Sequence, residues 1–142
     1  MTLSRERTTQ LLSQTRLFAG VGAEGLGRIA DRITEVDVPA ARVIARQGEI
    51  GTGFFIIASG SVRVIRDGET LAELGPGEFF GELSVIDGLP RVAQVVSAEP
   101  TTCLALATWD FEAVVREQPS VALAILRELA GRLRELTEAH HH

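Results

Sequence analysis

Histidine is all but missing from this chain: the three present stand together at its end, as His140, His141 and His142. They read as the remnant of a purification tag (residues 140–142), and metal binding by them is set aside. Without another histidine, Ser/His and Cys/His nucleophile arrangements are excluded, and a metal-dependent barrel oxygenase lacks its ligand cluster. Cysteine is as scarce. Cys103, in the apolar run TTCLALA, can form no internal disulfide and reads as a buried strand thiol, not a nucleophile. Positive charge is short too: 14 Lys and Arg against 19 Asp and Glu leave a net charge of −5. The summed field repels nucleic-acid backbones and anionic membranes, so neither is expected to contact this domain directly. No apolar run approaches the ~18 residues of a membrane span, and MTLSRERTTQ lacks the apolar centre of a secretion signal. The chain is expected in the cytoplasm, or on the cytoplasmic face of a membrane protein. Internal repeats, low-complexity tracts and a Pro/Ser/Gly-rich linker are all missing, so nothing marks a second domain.

What is present fits one domain: 142 residues, 45 % of them hydrophobic, suffice for a proper core. Apolar residues at helical spacing predict two helices, Thr8 to Leu17 and Ala23 to Ile33, within an N-terminal segment 1–33. From Thr34 the rhythm changes to short β-prone runs broken by turn residues: TEVDVP, RVIARQGE, GFFIIAS, SVRVIRD, TLAELGP, VAQVVSAEP and TTCLALA. Asp67-Gly68 between two of these runs predicts a tight hairpin. Residues 34–107 are therefore expected to form a β-roll or jelly-roll barrel, giving a mainly β fold with flanking helices.

Helical spacing returns at residues 108–139. Thr108 is the expected N-cap of a helix Trp109 to Gln118, and Pro119-Ser120 separates it from a last helix reaching Ala139. Along that last helix Ala122, Leu126, Leu129, Leu133 and Leu136 form a narrow apolar stripe. It suits packing on the barrel, a lid over a ligand, or the seam of a homodimer.

Chemistry concentrates in residues 77–97, GEFFGELSVIDGLPRVAQVVS. Gly81 allows close approach of a ligand to the backbone. Glu82-Leu83-Ser84-Val85 can open a short helical turn whose first N–H groups lack intrahelical partners and attract anions. Arg91 adds a permanent charge and a planar fork of donors suited to phosphate oxygens, while ionised Glu82 suits a sugar hydroxyl. Together they offer sites for both halves of a sugar phosphate. In a simpler reading, Glu82 and Arg91 pair across a β-turn and the glycines only punctuate strands. Pro90 favours the ligand reading, since it drives Leu89 toward extended geometry and returns the chain to a strand with Arg91 at a fixed place.

The segment FGELSVIDGLPRVA closely resembles the phosphate-binding cassette of the cyclic-nucleotide-binding domain family, found in bacterial catabolite activators, protein kinase A regulatory subunits and nucleotide-gated channels. The likeness extends over LFAGVGAEGLGRIADRI, ARQGEIGTGFFIIASGSVRVI and TWDFEAVVREQPSVALAILREL, or roughly Leu17 to Leu136. It implies that Arg91 and the amides of Leu83 and Ser84 hold a cyclic phosphate, and that Glu82 and the Gly81 backbone hold the ribose 2′-OH. Val64 and Leu71 fall where members line the wall beside the purine, or are plain barrel core. Arg132 falls about where some members cap the base, or is a solvated helical arginine.

Val92 stands where members preferring cGMP often carry Ser or Thr, and it offers the guanine amino group no partner, so cAMP is the expected ligand over cGMP. Ser84 replaces a frequent Ala and Gln94 a frequent Thr, neither of which breaks the site. The resemblance thus implies a regulatory module without cofactor or catalytic residues, converting nucleotide binding into movement of its C-terminal helices. The same fold acting without nucleotide, as a dimerisation or interaction domain, is the alternative. Catabolite activators follow this domain with a DNA-reading helix-turn-helix; if the terminal histidines mark a truncation, the output domain is a transcription factor, a channel, a transporter or an enzyme, and no residue here decides among them.

Overall fold

The computed structural model describes residues 3–139; the three terminal histidines lie outside the described residues. Helix α1 (Arg5–Gln14), a 3-10 turn (Arg16–Phe18) and α2 (Ala23–Ala30) lead into strands β1 (Thr34–Val38), β2 (Val43–Ala45), β3 (Gly53–Ser59), β4 (Val62–Arg66), β5 (Glu69–Leu74) and β6 (Phe79–Phe80). A short helix α3 (Glu82–Asp87) precedes β7 (Gln94–Ser97) and β8 (Thr101–Ala107), and α4 (Thr108–Glu117) and α5 (Pro119–Ala139) follow. The strands form two antiparallel four-stranded sheets, β1-β8-β3-β6 and β2-β7-β4-β5. This is the mainly β roll with flanking helices that the strand rhythm implied.

The apolar runs of β3 and β8 follow from their place between two cores. Because side chains alternate across a strand, Phe54, Ile56, Leu104 and Leu106 face the helices, packing with Leu12, Phe18, Ile29, Val114 and Val121. Ile57 and Cys103 face the other way and bury with Ala45, Val62, Phe80 and Val95 inside the roll. Burial pushes the Cys103 thiol up to about 11. The Asp67-Gly68 hairpin forms with both residues at positive φ (50° and 80°), the requirement of a tight primed turn.

Several boundaries differ from expectation. Helix α1 starts at Arg5, not Thr8, because the Ser4 side chain caps it by accepting from the Arg7 N–H (3.1 Å), and Leu17 falls in the 3-10 turn beyond its end. Helix α2 ends at Ala30, before Ile33. Thr108 is not a cap: it is the first residue of α4, with Ala107 at the cap position, and the Thr108 Oγ1 is buried without a partner. Strand β8 runs straight into α4, and the Thr108 N–H donates to the Thr52 carbonyl instead (2.8 Å). Strand β6 is only two residues long, too short to show a period.

Candidate functional site

Three segments build the site. The first is α3, which starts from Gly81 in the left-handed conformation (φ 87°) with no side chain capping it. A β-carbon there would be both strained and 2.5 Å from Arg91 Nη1. The amides of the first turn of α3 have no intrahelical acceptors and border a cavity of about 200 Å³.

The second is the turn that carries Arg91. The strand does not resume at Pro90, as the sequence suggested, but only at Gln94. Arg91 is fixed instead by the 48–53 loop, the third segment. The Arg91 N–H donates to the Glu49 carbonyl (2.7 Å), the Gly48 N–H donates to the Arg91 carbonyl (2.8 Å), and Ile50 pairs with Pro90. The guanidinium donates through Nη2 to the Gly53 carbonyl (2.9 Å), whereas the Nη1 is buried with no partner. Among the described residues no carboxylate is within ion-pair distance of Arg91. The Glu82–Arg91 pair of the simpler reading is therefore not formed.

Both charged groups feel their burial. Loss of water lowers the Arg91 pKa from its ordinary value, opposed by Glu49 and Glu82. Loss of water raises that of Glu82 above the ordinary carboxylate value, opposed by a backbone hydrogen bond and by Arg132 and Arg91. An anion at Arg91 would supply the missing acceptor, and a hydroxyl donor at Glu82 would favour its charged form.

Gly81, Glu82, Leu83, Ser84 and Arg91 all line the 200 Å³ cavity, with Val64 and Val92 on its wall. Leu71 does not. Val64 pairs with Ala72 and Ile65 with Thr70, which leaves Leu71 as the extra residue of a bulge, 55 % exposed. Leu74, Phe79 and Ala45 complete the wall in its place. Arg132 lies outside this cavity but borders a second one of about 580 Å³ that shares Leu74, Phe79 and Glu82 with the first. Its guanidinium sits 4.6 Å from the centre of the Phe79 ring, so it is not freely solvated. On the other side of α3, a cleft of about 730 Å³ separates that helix from the α4–α5 pair.

Sequence reasoning missed the 48–53 loop as part of the site. Its only sign was the close glycine spacing Gly48, Gly51, Gly53. Among the described residues no group of acidic, histidine or cysteine side chains could hold a metal, and no helix is long and apolar enough to cross a membrane.

A roll in which a short helix start, a half-paired arginine and a half-buried carboxylate meet at one cavity has the donors and the acceptor that suit a small anion carrying hydroxyls. The comparisons make this specific: the profile described as "Cyclic nucleotide-binding domain" matches residues 35–118, and the chain belongs to that family. It is 39 % identical over 124 residues to the cyclic AMP receptor protein of Thermus thermophilus, covering 84 % of this chain and 57 % of that one. It is 37 % identical over 119 residues to a cyclic nucleotide-gated potassium channel of Rhizobium etli, covering 84 % and 33 %. The crystal structure of Thermus thermophilus catabolite activator protein superposes with a TM-score of 0.77 at 38 % identity, over 88 % of this chain and 61 % of that one. The chain thus spans about a third to three fifths of these relatives.

Proposed function

We propose that this domain binds cAMP and passes the event on through α5. The observation that carries the reading is the Arg91 guanidinium, held against the cassette with Nη1 buried and unpartnered beside Gly81. In the bound state Arg91 and the Leu83 and Ser84 amides take the cyclic phosphate. Glu82 and the Gly81 backbone take the ribose 2′-OH. Val64 stands beside the base, and Arg132 on α5 caps it from above Phe79. Leu71, on its bulge, takes no part. Val92 gives guanine no hydrogen-bond partner, so cAMP binds in preference to cGMP. The likeness to a cyclic AMP receptor protein supports the same choice.

Binding, with no catalysis and no cofactor, is the whole activity, and it takes place in the cytoplasm or on the cytoplasmic face of a membrane protein. The last turns of α5 move when the site fills, and the cleft beside α3 gives α4 and α5 room to close. The exposed leucines of α5 pair with a second copy, and an output domain beyond this chain reads the change. Equilibrium dialysis against cAMP and cGMP tests the ligand. Tighter retention of cAMP is expected, and equal retention or none of either would remove the assignment.

A further inference from the structure

We infer that Gly51 is a positioning residue for Arg91: the missing β-carbon at 51 is what lets the guanidinium lie against the 48–53 loop and turn toward the cassette. This rests on the reading of the cassette as an anion site. Gly51 is buried, and its φ is outside the left-handed region, so its backbone does not itself demand glycine. A β-carbon built there would lie 2.5 Å from Arg91 Cζ, 2.5 Å from Nη2 and 2.7 Å from Nε. The three atoms nearest that position all belong to this one guanidinium.

The neighbouring glycines are constrained differently. At Gly53 a β-carbon would press on the Leu106 carbonyl (2.9 Å) and so on the sheet, and Gly81 is held by its φ. At 51 the nearest atoms to a side chain are the end of a flexible one, so a substitution there is expected to displace the charge before it disturbs the fold. The Arg91 backbone cannot shift to compensate, because two hydrogen bonds and the Ile50–Pro90 pairing tie it to the same loop. The displacement must therefore fall on the side-chain torsions. It breaks the Nη2 bond to the Gly53 carbonyl and takes Nη1 away from Gly81.

A double-mutant cycle tests this, with cAMP affinity measured by calorimetry on the intact chain and on Gly51→Ala, Arg91→Ala and the double variant. Gly51→Ala is expected to weaken binding by about tenfold or more with little change in melting temperature. In the Arg91→Ala background it should add nothing, because both substitutions remove the same contact. Undiminished affinity in Gly51→Ala, or losses that add, would overturn the inference. A second readout does not depend on the ligand: the Nε–H resonance of Arg91, identified by its loss in Arg91→Ala, must move in Gly51→Ala. Should the unaltered chain bind no cAMP, the site reading fails by itself and this resonance decides the inference. An unmoved signal then overturns it, and a moved one upholds it.

Discussion

A buried hydrogen-bond donor without an acceptor costs about 1–3 kcal/mol, and Arg91 Nη1 is such a donor. An anion accepting from it would relieve that cost. Glu82 carries the matching cost for a carboxylate. Its pKa is raised in the folded chain, so between its unfolded and folded values the native state holds the extra proton. That contribution to stability is greatest at low pH and is lost as pH rises through the folded value. Glu82→Gln should remove it, so the stability of the empty wild type relative to the variant should fall as pH is raised from 4.5. Binding runs the other way: wild-type cAMP affinity should strengthen over the same span as the carboxylate ionises. The variant should be about tenfold weaker and insensitive to that titration. Thermal melts and calorimetry across pH check both, and parallel profiles for the two proteins would contradict the assignment. Glu82 and Arg91 were legible in the sequence because an acid directly after Gly81 and the stretch's one guanidinium interrupt an apolar, glycine-rich run. Gly51 was not, since its role depends on a side chain forty positions away that only the tertiary fold brings against it.

At the scale of elements, the two helices that matter differ in how they are held. Helix α3 is short and bounded by left-handed Gly81 and Gly88, the latter donating its N–H to the Ser84 carbonyl (2.9 Å). Helix α5 is anchored at its start by Val121, Ala124 and Ile125. Beyond Leu129 it is retained mainly by Arg16, which bridges Glu128 and Glu135, and by Arg132 over Phe79. Exposed ion pairs contribute about 0–1 kcal/mol each and a cation over a ring about 0.5–1 kcal/mol. The last turns are therefore the part a ligand can most readily redistribute. Hydrogen exchange should slow in α3 and in residues 126–138 on adding cAMP. Protection confined to α3 and the 48–53 loop would contradict coupling to α5. The period of α5 was readable from its leucines, whereas the start of α4 was not. A threonine before a helix looks like a cap by composition, and only the continuous run of β8 into α4 turns its hydroxyl inward.

For the whole molecule, the roll was readable because β3 and β8 are covered on both faces, which writes nearly unbroken apolar runs into the sequence. The bulge that excludes Leu71 left no such mark, because a one-residue slip changes no composition. Leu126, Leu133 and Leu136 are each at least 60 % exposed along one stripe of α5, a seam suited to a second copy. Sedimentation should therefore show a dimer that Leu133→Glu converts to monomer, and a monomeric wild type would remove the pairing. The central claim is that one guanidinium captures a cyclic phosphate. Calorimetry of cAMP binding to the wild type and to Arg91→Ala tests it most directly. The account predicts measurable binding weakened by about tenfold or more in the variant, and equal affinity in the two proteins would contradict it.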